Sequence, residues 1–251
     1  MFFIYNIFLL ILLLISPIIL LIRIFLGKED KIRFKEKFCL FSKKNYVNGT
    51  IWFHGASVGE ILSIIPIVEK FEKDNKIKKI LITSSTTSSS YILSKYKFKK
   101  TIHQFYPFDL NILTKLFINY WKPRLAIFVD SEIWPNMYNN LYKKKIPLIL
   151  LNARITEKSF NRWKYFPNFS QSIFEKISIA LPQNKDSTKY LKLLGTKNIK
   201  IAGNIKFYGS ASSNYNNSSL KKKFLKKNIL CAASTHKNEE LFIGKAHQEL
   251  K

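Results

Sequence analysis

Cysteine, histidine, glycine, proline and acidic side chains are all scarce in this chain: 2, 4, 8, 8 and 16 of 251 residues. Cys39 and Cys231 stand far apart and match no metal-ligand spacing, so both read as free thiols in a reducing compartment. His54, His103, His236 and His247 are too dispersed for a histidine metal motif, and no metal or other cofactor is expected. The shortage of acidic residues against 42 basic ones leaves a net charge of +26, which invites a nucleic-acid reading. The lysines, however, are scattered through every segment, alongside abundant isoleucine, asparagine, phenylalanine and tyrosine. That spread fits a coding bias, with some attraction to an anionic membrane surface, whereas a groove-tracking patch would be concentrated. No nucleic-acid partner is expected. With 47% hydrophobic residues the composition is otherwise that of a globular chain.

Residues 1–22 carry no charged side chain. As a helix they span about 33 Å, enough to cover a bilayer core of ~30 Å. Asn6, Ser16 and Pro17 weaken the run, which leaves an interfacial helix as the alternative. A secretory signal would place its charge before the apolar run and a small-residue cleavage site after it. Here the charge follows, at Arg23, Lys28, Lys31, Arg33, Lys35 and Lys37. Residues 1–26 therefore read as an anchor, with the remainder kept on the cytoplasmic side.

Beyond the anchor, short apolar runs at 51–54, 80–83, 102–105, 125–129, 148–151, 177–181 and 199–202 read as strands. Helical spacing of apolar residues appears at 61–73, 110–121, 134–144 and 186–194. Nearly continuous apolar strands alternating with helices predict an α/β fold with a doubly wound parallel sheet. In such sheets ligands sit beyond the carboxyl ends of the strands, so the residues after each apolar run are the ones to inspect. The Ser/Thr run at 83–90 is expected to be a polar loop with an N-cap. Residues 208–220, rich in Ser and Asn, mark a linker. After it, 228–233 reads as a strand and a helix begins at Glu239, so a second domain is begun and left incomplete.

Three readings compete for the turn after the first strand. Ser57-x-x-Glu60 fits a capping box. Gly55-Ala56-Ser57-Val58-Gly59 fits a hydrolase nucleophile elbow, with Asp130 and His236 following in the right order. Glu60 could instead be a general base lifted to the mouth of the sheet. The elbow reading is weak because only an anchor precedes this strand, so no earlier strand supplies an oxyanion donor. Cap and base remain open on this segment. Later strand ends add Glu132 beside Asp130, Arg154 with Lys158 and Arg162 nearby, and Lys206, a rim of carboxylates and cations suited to an anionic substrate.

HGASVGE (54–60), DSEIWPN (130–136), LNARITEKS (151–159), GNIKF (203–207) and AASTH (232–236) together resemble the 3-deoxy-manno-octulosonate (Kdo) transferases of lipid A assembly. The resemblance implies a GT-B glycosyltransferase with two Rossmann-like halves, the first for a lipid A precursor and the second for CMP-Kdo. It implies Glu60 as general base, Glu132 and Lys206 as transition-state stabilisers, and substrate contacts from Ser57, Gly59, Arg154, Ser234, Thr235 and His236. It also places the protein at the cytoplasmic side of the bacterial inner membrane. On this reading the anchor is 1–26, the acceptor-side domain 27–207, the linker 208–226 and the start of an incomplete donor domain 227–251.

Overall fold

The computed structural model describes residues 1–41, 48–205, 231–233, 235 and 238–249. The chain divides into two units, residues 1–211 and 212–251. The first opens with α1 (Phe2–Phe25) and a 3₁₀ turn, Arg33–Phe38. It continues through β1 (Thr50–His54), α2 (Val58–Lys73), β2 (Ile80–Ser84), α3 (Thr87–Ser94), β3 (Thr101–Phe105) and α4 (Asn111–Trp121). After these come β4 (Pro123–Val129), α5 (Pro135–Lys143), β5 (Leu148–Ala153), α6 (Glu157–Lys164), α7 (Pro167–Phe174), β6 (Ile179–Pro182) and α8 (Lys185–Leu193). The second unit contains helix α9 (Glu239–Glu249).

All six strands are parallel, in the order β3-β2-β1-β4-β5-β6. The chain therefore starts in the middle, winds outward to β3, and returns to lay β4 against the other side of β1. That reversal is the switch point where α/β sheets bind ligands. Register pairs His54 with Phe128, so the segments leaving β1 and β4 emerge side by side. Alternation along the strands sends Trp52 and Phe128 into one core with Phe117, Trp121 and Tyr138. Phe53, Ile82 and Val129 enter the other core with Ile61, Ile64 and Val68 of α2. Burial of each such side chain contributes roughly 1.5–3 kcal/mol, which covers both faces and fixes which residues reach the rim.

The expected α/β sheet is present, with four local corrections. Residues 199–202 do not form a strand: Ile199 makes a single bridge to Ala180. Ala180 N–H and C=O pair with Asn198 and Lys200, but the next donor along β6 would be Pro182, which has no N–H. The neighbouring strand expected at 177–181 is shifted, to Ile179–Pro182. The Ser/Thr run at 83–90 has the expected N-cap but is mostly not a loop. Thr86 accepts from Ser89 N–H at 3.2 Å and caps α3, so the hydroxyls start a helix. Of the strand expected at 228–233, residues 231–233 are not in a strand and the rest lie outside the described residues. Cys39 and Cys231 are both unpaired.

One buried carboxylate ties several of these pieces together. The first turn of α5 has no cap from its own N-cap residue, Trp134. Asp109, from the β3–α4 connection, takes that part, accepting from Asn136 N–H and Met137 N–H at 2.9 Å each. It also accepts from the Tyr5 hydroxyl of α1 at 2.9 Å. Burial pushes the Asp109 carboxyl up to about 7 despite these donors. Asp109→Ala is expected to cost about 2–4 kcal/mol, combining a lost cap with buried donors left unpaired. Because the folded-state value lies above the ordinary one, stability from Asp109 is full below about pH 4 and declines as pH rises through about 7. Thermal unfolding across that range should show the slope, and Asp109→Asn should flatten it.

Candidate active site

The loop leaving β1 folds back on itself around Glu60. Ser57 is the N-cap of α2. Its hydroxyl accepts from Glu60 N–H at 3.4 Å and donates to Glu60 Oε1 at 2.8 Å. Ala56 N–H donates to Glu60 Oε2 at 2.7 Å. The capping contacts are therefore real, yet each carboxylate oxygen keeps a further lone pair for a substrate proton. Gly55 makes the arrangement possible, since a Cβ there would lie 3.0 Å from Glu60 Cβ. Gly59 differs: a Cβ would meet nothing within 4 Å, so packing does not require that glycine.

The loop leaving β4 presents Glu132 from the adjacent strand end. His54, fully buried as the last residue of β1, approaches Glu132 Oε2 with Nε2 at 3.1 Å. Its Nδ1 lies 2.9 Å from the Thr83 hydroxyl at the end of β2. With Nε2 turned to Glu132, Nδ1 faces both the hydroxyl and the carbonyl of Thr83. Tyr106 stacks on the imidazole, ring centroids 3.9 Å apart. Trp134 donates its indole N–H to Glu132 Oε2 at 2.9 Å, and the Tyr138 hydroxyl donates to the Glu132 carbonyl at 2.8 Å. Glu132 is thus held from three sides by groups that have little freedom of their own.

The two carboxylates are pulled in opposite directions. Burial raises Glu60 above the ordinary glutamate range; the Ser57 hydrogen bond opposes this, and the nearby charges of Glu132 and Asp130 add to it. Burial alone would raise Glu132 too, but the His54 contact and the Trp134 hydrogen bond outweigh it and hold Glu132 below that range. Paired carboxylates separated in this way are the usual mark of divided acid–base and electrostatic roles.

The third strand end joins them. Asp130 and Asn152 both adopt left-handed backbone, with φ of 60° and 54°, a conformation that Asp and Asn tolerate better than most residues. Asn152 donates to Asp130 Oδ1 at 3.0 Å and accepts from Ile205 N–H at 3.2 Å. Arg154 N–H reaches the Asp130 carbonyl, and the Ser131 hydroxyl reaches the Arg154 carbonyl. Segments 130–132, 152–154 and 203–205 are thereby laced together on one rim. The Arg154 side chain is exposed, as are Lys158 and Arg162 on α6. Lys206, Ser234 and His236 lie outside the described residues. Thr235, in the second unit, donates to Glu240 at 2.9 Å. For the elbow reading, the Ser57 hydroxyl donates to Glu60 and Asp130 accepts from Asn152, while His236 lies outside the described residues. Among the described residues no three His, Cys, Asp or Glu side chains converge into a metal-binding group.

Sequence reasoning passed over His54, Trp134 and Asp109 as site-forming residues. The available signal was position: His54 ends the first strand immediately before the glycine turn, and Trp134 follows Glu132 by two residues.

The family model for 3-deoxy-D-manno-octulosonic-acid transferase (kdotransferase) matches residues 32–208, which include the whole of this rim. The chain belongs to the Kdo transferase family. The 3-deoxy-D-manno-octulosonic acid transferase of Rickettsia bellii is 38% identical over 237 residues, 93% of this chain and 56% of that protein. Its counterpart in Haemophilus influenzae is 32% identical over 209 residues, 80% of this chain and 48% of that protein. The chain thus spans about half the length of these curated relatives. Among solved structures, UDP-GlcNAc 2-epimerase from Neisseria meningitidis aligns with a TM-score of 0.54 and 13% identity, covering 80% of this chain and 62% of that one. That similarity places the Kdo transferase chain among GT-B-like folds and concerns the fold alone.

The two glycines of the first turn separate packing from other demands. Gly55→Ala is expected to destabilise by about 1–3 kcal/mol, because Glu60 or the backbone must yield. Gly59→Ala, in open space within the first turn of α2, is expected to be neutral or to stabilise by up to about 1 kcal/mol. Denaturant unfolding of the two variants checks this, and equal effects would contradict the geometry.

Proposed function

We propose that this chain is the acceptor-side half of a glycosyltransferase that moves Kdo from CMP-Kdo to a lipid A precursor at the cytoplasmic face of the inner membrane. The observation that carries the reading is the pairing of Glu60, raised by burial, with Glu132, held ionised by His54 and Trp134, at the sheet's switch point. In the proposed step a sugar hydroxyl of the acceptor gives its proton to the Glu60 carboxylate. The hydroxyl oxygen bonds to the anomeric carbon of Kdo. The bond from that carbon to the CMP phosphate oxygen breaks, and the phosphate leaves with the electron pair. Direct displacement inverts the anomeric centre and needs one base. CMP is already a good leaving group, so the reading assigns no metal.

Glu132 carries a fixed negative charge beside the reacting centre, where positive charge develops at the anomeric carbon. Lys206 is assigned to the leaving phosphate, and the cations Arg154, Lys158 and Arg162 to the anionic groups of a lipid acceptor. Gly59, Ser57 and Arg154 are assigned to acceptor contacts, and Ser234, Thr235 and His236 to the donor. The domain division at 26, 207 and 226 belongs to the same proposal.

The test uses residues 1–207 joined to the carboxyl-terminal half of the Rickettsia bellii relative, with labelled Kdo, a CMP-Kdo-generating system and a lipid A precursor. Glu60→Gln should lower transfer by about 10²–10⁴-fold with the fold retained. Wild-type rate should fall as the pH drops through the raised Glu60 range. Ser57→Ala should keep substantial transfer, and a fluorophosphonate should not label Ser57. Turnover near wild type in Glu60→Gln would overturn the assignment of the base.

A further inference from the structure

Among the described residues, α1 is the one helix long and apolar enough to cross a membrane. It contacts the sheet domain at both of its ends. At the amino end, Phe2 meets Phe169 of α7 edge-on, with ring centroids 5.0 Å apart. The Lys176 ammonium lies 5.8 Å from the Phe2 ring. Tyr5 donates to Asp109, and Asn136 donates to Asn6 Oδ1 at 2.9 Å. Ser16 and Leu20 are buried along the middle. At the carboxyl end Arg23 pairs with Glu29 at 3.2 Å, and Glu29 is also held by Lys37 at 2.7 Å.

Tyr5 and Arg23 are about 27 Å apart along the helix axis, close to the ~30 Å of a hydrocarbon core. An upright helix would therefore carry Asp109, Asn136 and Lys176 to the far side of the bilayer while Glu29 and Lys37 stayed on the near side. The intervening body of the domain would lie in lipid, where charged groups and irregular backbone are costly.

The sequence of α1 is organised for a different arrangement. At 100° per residue, Tyr5, Ser16 and Arg23 fall within about 20° of one another. This stripe faces the domain, while Phe3, Ile7, Leu14, Ile18 and Phe25 point outward and are exposed. Basic residues flank both ends of the helix in space. Arg23, Lys28 and Lys31 lie at one end, and exposed Arg162, Lys164, Tyr165 and Phe166 adjoin the α7 docking site at the other. A spanning helix under the positive-inside rule has its cations at one end. A helix lying in the headgroup plane has them at both, with aromatic side chains beside them.

We propose that α1 does not cross the bilayer. It lies in the plane of one leaflet, docked on the sheet domain by its polar stripe, with its outer face in the acyl chains and its flanking cations among anionic headgroups. This arrangement holds whatever reaction Glu60 serves. It sets the rim against the lipid: a largely apolar cavity of about 360 Å³ lies between α1 and residues 106–110, and Trp134, which donates to Glu132, lines it.

The test uses the 251-residue protein in bacterial inner membranes. An uncharged epitope precedes Met1 on the otherwise unchanged chain, and its exposure is read in intact spheroplasts and in inverted vesicles. In a second arm, Cys39→Ser and Cys231→Ser remove the native thiols. Asn6→Cys with Asn136→Cys is then treated with a short bis-maleimide in the membrane, and Arg23→Cys with Glu29→Cys serves as a control that links in either arrangement. The expected result is an epitope reached only in inverted vesicles, with most of the 6/136 pair cross-linked. An epitope reached from the outside, or no 6/136 link in membranes where the control pair links, would overturn the in-plane arrangement.

Discussion

The parallel pairing of β1 with β4 is the contact on which the site depends. Strand order reverses there, so the segments after His54 and Val129 leave the sheet as neighbours although more than seventy residues separate them in sequence. His54 uses that adjacency. It is buried with no exposed surface, braced by Thr83 from β2 and stacked on Tyr106 beyond β3, and its free nitrogen meets Glu132 beyond β4. A rigid imidazole at this crossing transmits the geometry of the whole sheet to one carboxylate. Glu60 lies on the turn leaving β1 at the same crossing, and Gly55 leaves room for that turn to fold back.

The sheet was legible in the sequence because parallel strands buried on both faces must be apolar throughout. The runs at 51–54, 80–83, 102–105, 125–129 and 148–151 all fall within strands. The failures were places where a neighbour decided the outcome. The run at 199–202 has the composition of a strand, but Pro182 on the adjacent strand cannot supply the next hydrogen bond. The N-cap before α3 was legible, but the helix body was not, because Ser and Thr after the capping Thr86 favour loops by composition. Helices α6 and α7 are eight residues each, too short for their apolar spacing to stand out in the sequence.

The candidate site was legible in part. Glu60 and Glu132 stood out as candidates because both follow strands, while a catalytic role for either was implied only by the resemblance that the order of motifs carries. Position marked His54 as a rim residue, but not that it would hold Glu132, nor that Asp109 would cap α5, because each contact joins residues distant in sequence. The same limit applied to α1. Its length and composition matched a spanning segment, and only the contacts of Tyr5, Asn6 and Arg23 with the domain reveal a helix with a preferred side. Anchor, rim and sheet form one continuous structure, in which the polar minority of an apolar helix does the docking.

At the rim, two carboxylates are tuned in opposite directions by their surroundings. The direct measurement is a carbon NMR titration of selectively labelled glutamate carboxyls in residues 1–211, with Glu60→Gln and Glu132→Gln used to assign the signals. Glu60 is expected to titrate above the ordinary glutamate range and Glu132 below it, and His54→Phe is expected to move Glu132 upward. Two ordinary titrations, or a Glu132 signal indifferent to the loss of His54, would contradict that tuning.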